Sequence, residues 1–303
     1  MTYGRRSHRG SLAVALLCAA ACAGEVAETG ERTYARDVLV DTDWIEARLG
    51  DPTVNVIEVG GNARAFTEGH LPGATFLSMG GLSNPDDAIE NMIATREQLS
   101  AALSAVGIER DQIVVLYDRQ NNLQSARAYW ALKYYGHPEL RIYNGGAPRW
   151  TADGRPLTTE AAEVVASSYE AGPADLEMQT TWQYVVDHID DPSTLTCDVR
   201  GPEEYLGRDV RAERGGHIPG SVNIEWTAAM TGDGTFKSAA ELAALYAGAG
   251  FTPDKQIITY CQSGVRGAHT WFVLSELLGY PSVRNYDGSW AEYGNNPGSP
   301  IES

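Results

Sequence analysis

From Val38 onward, short β-branched runs alternate with longer runs whose apolar residues recur at helical spacing. Val54 to Val59, Ile113 to Tyr117 and Arg141 to Tyr143 read as strands, and Arg96 to Val106 and Ser125 to Tyr135 as helices. Strands separated by helices predict parallel sheets covered on both faces. The pattern then runs a second time. Gly69-His70-Leu71-Pro72-Gly73-Ala74 returns as Gly216-His217-Ile218-Pro219-Gly220-Ser221, a step of 147 residues from His70 to His217. Val114 to Tyr117 returns as Ile257 to Tyr260, and Tyr143-Asn144-Gly145-Gly146 as Tyr286-Asp287-Gly288-Ser289, both at a step of 143. Three matches in one order at nearly one step predict two copies of a single α/β domain. Gly154, Pro156, Gly172 and Pro173 mark the joint. The expected organisation is a leader at 1–23, a first domain at 34–153, a linker at 154–178 and a second domain at 179–303, with a coreless tether from Gly24 to about Arg36.

The 303 residues, 43% of them apolar, supply enough material for two cores. Arg5, Arg6, His8 and Arg9 followed by the apolar run Leu12 to Ala21 and the small residues Ala21-Cys22-Ala23 read as an export signal, too short to span a bilayer as a stable helix. The expectation is an exported protein, either soluble in the periplasm or anchored there by lipid on Cys22. Any membrane contact would come through that anchor. The net charge of −17 becomes about −20 once the three leader arginines are gone, which argues against a nucleic-acid partner. An anionic substrate would need a local positive pocket. Of the four cysteines, Cys18 and Cys22 belong to the leader, leaving Cys197 and Cys261. One disulfide is an open alternative in an exported chain, although Cys197 sits in an apolar strand-like run and reads as a buried, inert thiol. No paired Cys-x-x-Cys or Cys-x-x-His motif supports a metal site.

The second copy contains the stretch richest in chemistry, Tyr260-Cys261-Gln262-Ser263-Gly264-Val265-Arg266-Gly267, between an apolar run and a helix-like run from Ala268 to Leu278. At a strand-to-helix turn, loop N–H groups and the positive end of the following helix converge on the cysteine. Both favour the thiolate, which is the nucleophile. Arg266 adds a permanent charge five residues on, and the glycines let the loop curl close to the sulfur. The plain alternative is a buried strand-end cysteine; the position, glycines and arginine favour a reactive one. The first copy serves as an internal control. At the 143 step Asp118 stands in place of Cys261, Asn121 of Gly264, Leu123 of Arg266 and Gln124 of Gly267, while Glu58-Val59-Gly60 matches Asp198-Val199-Arg200. The first copy is expected to keep the framework without the nucleophile, pack against the second copy and wall its cleft.

Four features together resemble the tandem-domain rhodanese family of sulfurtransferases, over about Val38 to Gly294. They are the doubled Gly-His-(Leu/Ile)-Pro-Gly motif, the segment Asp198-Val199-Arg200-Gly201-Pro202-Glu203-Glu204-Tyr205, the loop Cys261-x-x-Gly264-x-Arg266, and the close Tyr286-Asp287-Gly288-Ser289-Trp290. The resemblance implies two α/β domains, each a mainly parallel five-stranded sheet flanked by helices on both faces, with a persulfide-forming cysteine, Cys261, in the second only. It implies that the Cys261 thiolate takes the outer sulfur of thiosulfate, releases sulfite and hands the sulfur to cyanide or a thiol.

Backbone N–H groups from Gln262 through Ser263, Gly264 and Val265 to Gly267 would cradle the anionic sulfur. Arg266 would grip the donor's sulfonate, the alternative being a pair with a neighbouring carboxylate. Arg200 aligns with a family arginine near the substrate mouth, against the alternative of a salt bridge orienting the loop. Asp198 reads as a tie within that loop. His217 reads as the holder of the turn before Pro219, since His70 persists in the copy without a nucleophile; His269 is at most a helper. Trp271 and Trp290 are core or cleft-wall aromatics. Some family members carry an arginine four residues after the Arg200 position; Glu204 stands there, with Arg208, Arg211 and Arg214 nearby. The mercaptopyruvate branch resembles Cys-Gly-Ser-Gly-Val-Thr, shared here at Ser263-Gly264-Val265 but not at Gln262 or Arg266. Thiosulfate is therefore the expected donor, with 3-mercaptopyruvate transfer or a non-catalytic persulfide carrier as alternatives. A monomer without cofactor or metal is expected.

Overall fold

The apolar-rich runs Ile113–Tyr117 and Gln256–Tyr260 are the central strands of two parallel sheets in the computed structural model, which describes residues 1–4 and 33–303. A strand covered on both faces needs apolar side chains in both directions, and each of these is buried from its second residue to its last. The first sheet joins β1 (Leu39–Val40), β2 (Val54–Gly60), β3 (Thr75–Ser78), β4 (Ile113–Tyr117) and β5 (Leu140–Tyr143) in the order β1-β5-β4-β2-β3. The second joins β6 (Gln179–Thr180), β7 (Thr194–Asp198), β8 (Val222–Asn223), β9 (Gln256–Tyr260) and β10 (Val283–Tyr286) in the order β6-β10-β9-β7-β8, the same arrangement strand for strand. Helices α1 (Thr42–Glu46), α2 (Ala63–Glu68), α3 (Arg96–Ala105), α4 (Leu123–Tyr134) and α5 (Gly146–Ala152) accompany the first sheet. Helices α6 (Trp182–Asp187), α7 (Pro202–Tyr205), α8 (Ala239–Gly248), α9 (Val265–Phe272) and α10 (Ser289–Tyr293) accompany the second. Even the helix starts repeat. Thr95 with Gln98 at α3, and Ser238 with Glu241 at α8, form the same reciprocal capping box.

One register differs from the sequence expectation. The helix expected from Ala268 begins at Val265, and Val273–Leu277 widens into a π-helical turn. Asp118 is separated from the α4 cap Asn122 by three residues, whereas Cys261 is separated from the α9 cap Gly264 by two. The turn at the cysteine is thus one residue shorter, and the π-turn restores the lost residue before β10. A constant step of 143 cannot register two compensating changes. The structural counterparts of Gly264, Arg266 and Gly267 are therefore Asn122, Gln124 and Ser125, in place of the Asn121, Leu123 and Gln124 expected from sequence.

Residues 154–178 form a strap against the first domain. Thr158 bridges His70, Ser167 N–H donates to Ser104 O (3.0 Å), Gly172 N–H donates to Tyr135 O (2.8 Å), and Tyr169 and Ala171 are buried. The two domains meet through α4 and α9, where Tyr129 packs on Phe272 with ring centroids 4.8 Å apart. Tyr129 Oη and Lys133 Nζ both donate to the buried Glu276 on the π-turn (2.9 Å each). Each domain also extends an arm to the other: Ile93 N–H donates to Asp287 Oδ2 (2.7 Å), and Phe236 N–H to Asn144 Oδ1 (3.0 Å).

The interior fixes one pH dependence. Burial holds His269 neutral, with its pKa lowered to about 3, beside Phe236 and Trp226. Burial likewise lowers His137 to about 4. Both folded values lie below the unfolded one, so the stabilising contribution is complete above about pH 6.5 and declines as pH falls, because the unfolded chain takes up protons that the folded chain refuses. Between pH 6.5 and 5 each histidine should remove up to roughly 1.4 kcal/mol per pH unit. Urea midpoints measured across that window should fall steadily; a flat profile would contradict the assignment.

The expected leader covers residues 1–23, of which residues 5–23 lie outside the described residues. Among the described residues no helix is long and apolar enough to cross a membrane.

Candidate functional site

Cys261 directly follows β9, at the carboxyl end of the central strand, where the neighbouring strands β7 and β10 part to either side. The last residue of the strand locks this end in place. Tyr260 Oη donates to Asp198 Oδ2 (2.6 Å) and accepts from Ile218 N–H (3.2 Å), in the middle of the Gly-His-Ile-Pro-Gly turn. Tyr117 Oη accepts from Leu71 N–H at the same distance in the first domain. The motif histidines stack on Phe66 and Tyr205, and Nδ1 of each reaches the carbonyl of the same residue at 2.9 Å. His217 thus holds the turn, as His70 does in the domain where Asp118 replaces the cysteine.

The loop after Cys261 turns back on Gly264, whose φ of +75° lies in the left-handed region. A Cβ there would stand 2.3 Å from Asp287 Oδ1. Ser289 Oγ accepts the N–H groups of Cys261 (3.1 Å) and Gly264 (3.0 Å). The N–H groups of Gln262, Ser263, Val265, Arg266 and Gly267 have no protein acceptor among the described residues. The first domain displays what such a turn can hold. Asp118 Oδ1 accepts from the N–H groups of Gln120 (2.7 Å) and Asn122 (3.2 Å), and Oδ2 from those of Gln124 and Ser125 (2.8 Å each). Burial pushes this carboxyl above its ordinary range while those N–H groups pull the other way. The donors to Oδ2 are the counterparts of Arg266 and Gly267.

Cys261 is free and 1% exposed. Cys197 is free as well, fully buried, and its thiol is pushed far up by burial and then by Asp198, so the alternative of a disulfide between them is not realised and Cys197 is inert. Arg266 donates both arms of its guanidinium to Glu204, at 2.7 and 2.9 Å. Burial works against its charge, but Glu204 and the Cys261 sulfur outweigh that and raise it above the ordinary arginine value. The fork expected to hold the donor is therefore engaged by the neighbouring carboxylate in this state. Gln262 Nε2 donates to Arg211 O (3.0 Å), and Ser263 Oγ accepts from Asn91 Nδ2 (3.2 Å), a residue of the first domain. Val265 opens α9 beside them.

Arg200 makes the salt bridge that was its alternative reading. Its side chain is 1% exposed, donates to both oxygens of Asp198 and to Gly216 O, and lies over Trp290 (4.4 Å). The first domain builds the same bridge from a different position: Arg119 donates to both oxygens of Glu58 and to Gly69 O. A bridge recreated in the copy without a cysteine belongs to the framework, so Asp198 and Arg200 support the loop. His269 lies in the apolar interior, and Trp271 and Trp290 donate to Val283 O and Arg214 O as core residues. Sequence reasoning gave no role to Asn91, Arg127 or Ser289. Only Ser289 carried a visible signal, the mismatch with Gly146 at the matching step. Among the described residues no group of His, Cys, Asp and Glu is arranged to hold a metal.

A family model described as "Rhodanese-like domain" matches residues 41–153 and again 181–296. The chain is 42% identical over 276 residues to "Sulfur carrier protein TtuD" of Thermus thermophilus, covering 88% of this chain and 96% of that one. It is also 42% identical over 274 residues to a "Putative thiosulfate sulfurtransferase" of Mycolicibacterium smegmatis, covering 88% and 98%. Among solved structures it resembles the anaerobic ergothioneine biosynthesis enzyme from Chlorobium limicola, solved with trimethyl histidine, at TM-score 0.80 and 25% identity, over 88% of this chain and 70% of that chain. It also resembles a variant of EanB with a cysteine persulfide in a tetrahedral intermediate state with ergothioneine, at TM-score 0.81 and 25% identity, over 90% and 72%. With its two like sheets, its doubled motifs and a free cysteine at the head of one central strand, the chain belongs to the rhodanese family of sulfurtransferases and sulfur carriers, as two rhodanese-like domains in tandem.

Proposed function

We propose that the protein is a thiosulfate sulfurtransferase working through a Cys261 persulfide. One observation carries this reading: the turn that holds a carboxylate on backbone N–H groups in the first domain surrounds a cysteine in the second. In the first half-reaction the Cys261 thiolate attacks the outer sulfur of thiosulfate. The donor's S–S bond breaks, sulfite leaves with the electron pair, and Cys261 carries the sulfur as a persulfide. In the second, a thiolate or cyanide attacks the outer persulfide sulfur and the Cys261 thiolate leaves. The N–H groups of Arg266 and Gly267, counterparts of those that Gln124 and Ser125 give to Asp118 Oδ2, are the donors this reading assigns to the developing anion. Steady-state rates with thiosulfate and cyanide, set beside rates with 3-mercaptopyruvate, test the reading; preference for 3-mercaptopyruvate would overturn the donor.

Arg266 takes the donor's sulfonate by exchanging it for Glu204. Glu204→Gln keeps an acceptor for Gly201 N–H and removes the competing charge. The KM for thiosulfate should fall several-fold with kcat little changed; a KM that stays or rises would remove Arg266 from donor binding.

A second reading, a persulfide carrier serving a partner protein, is favoured by the 1% exposure of Cys261 and by the engaged Arg266 fork. A carrier would form the persulfide yet turn over neither small donor. We place the protein outside the cytoplasm as a monomer, on the pattern of residues 1–23 and the internal pairing of its two domains. Mass spectrometry of the mature chain tests leader cleavage and lipid on Cys22.

A further inference from the structure

Ser289 is a serine in a backbone conformation suited to glycine. Its φ is +49°, it is fully buried, and the first domain has Gly146 at the same place with φ +55°. The surrounding backbone is otherwise alike: Trp290 N–H donates to Cys261 O (3.0 Å) as Ala147 N–H does to Asp118 O (3.1 Å). A Cβ at Gly146 would stand 2.1 Å from Asp118 O, so the first copy has no room for a side chain. The second copy makes that room and fills it with a hydroxyl. The hydroxyl uses its full capacity, accepting the N–H groups of Cys261 and Gly264 and donating to Tyr286 O (2.7 Å).

The two loops differ in what organises them. In the first domain Asn122 N–H, the counterpart of Gly264 N–H, donates to Asp118 Oδ1, so that loop is ordered by its own fixed anion. Cys261 cannot serve its loop in that way, because its sulfur alternates between thiolate and persulfide over a catalytic cycle. An acceptor independent of the sulfur is needed if the loop is to keep one shape through both half-reactions. We propose that Ser289 is that acceptor: a positioning residue that ties the inner N–H groups of the Cys261 loop and leaves those of Arg266 and Gly267 for the sulfur. The inference rests on the reading of Cys261 as the persulfide cysteine.

The test is Ser289→Gly, which installs the first domain's residue and relieves the left-handed backbone, beside Ser289→Ala, which removes the hydroxyl alone. Ser289→Gly should melt at or above the wild-type temperature. It should nevertheless lose at least tenfold in kcat with thiosulfate and cyanide at little change in KM, and Ser289→Ala should lose as much. The rate at which iodoacetamide alkylates Cys261 should change in both variants, and that readout needs no donor. Wild-type kcat and alkylation rate in Ser289→Gly would overturn the proposal while leaving the functional reading intact. A wild-type protein inactive with thiosulfate, with alkylation still sensitive to Ser289, would overturn the donor and leave the positioning role standing. A kcat that falls only in parallel with melting temperature would reduce Ser289 to a structural residue.

Discussion

Cys261→Ser is expected to abolish sulfur transfer from every donor to every acceptor, with turnover down by on the order of 10⁴-fold or more. The substitution exchanges one buried atom for a smaller one at a position that is 1% exposed, so the fold should survive. What it removes is chemical. An alcohol is a far weaker nucleophile than a thiolate at neutral pH and cannot carry a sulfane sulfur. No other described thiol can take over, because Cys197 is fully buried and its thiol is pushed far above the physiological range. Intact-protein mass spectrometry after exposure to thiosulfate should find an adduct of roughly 32 Da, one sulfur atom, on the wild type and none on the variant. Transfer retained by the serine variant would defeat the assignment of Cys261 as sulfur acceptor, for an enzyme and for a carrier alike.

The second large effect lies between the domains. Arg127 and Asp287 are both fully buried and paired at 2.5 Å; Arg127 also donates to Asn91 O, and Asp287 also accepts from Ile93 N–H. Arg127→Met would leave the Asp287 carboxylate buried without its cation, a loss of about 3–5 kcal/mol. For domains of this size that corresponds to a melting temperature lower by about 10 °C. The first domain supplies the compensating change. Asn144 occupies the place of Asp287 there and accepts from Phe236 N–H with a neutral amide. Arg127→Met combined with Asp287→Asn should therefore recover most of the stability lost by Arg127→Met alone. Melting curves for the two single variants and the double variant decide the matter, and simple additivity would contradict a coupled pair. The activity of Arg127→Met should drop as well, since Asn91, released from Arg127, is the residue that reaches Ser263 beside Cys261.

The central strands were legible because a strand buried on both faces is apolar over most of its length. Ile113–Tyr117 and Gln256–Tyr260 fall where the apolar runs place them. The pair of domains was legible because both copies keep the glycine turns and the tyrosine that anchors them. Within the site, Cys261 could be located from its loop alone. Arg200 could not be assigned. A buried bridge and a substrate contact leave the same residue in the chain; the structure shows the bridge, which Arg119 makes from another position in the first domain.

The sequence by itself determined two like α/β domains, an aspartate in the first where the second has a cysteine, and the position of that cysteine. These follow from local periodicity, from turn residues and from an internal repeat, all of which are written along the chain. Only the tertiary structure decided that Glu204 holds Arg266, that Ser289 accepts the N–H groups of Cys261 and Gly264, and that Arg127 pairs with Asp287 behind the loop. Ser289 lies 28 residues from Cys261, and Arg127 lies 160 from its partner Asp287. Contacts at such separations depend on how two sheets and two helices come together. No local pattern of side chains encodes that, because the free energy that selects those partners comes from burying them.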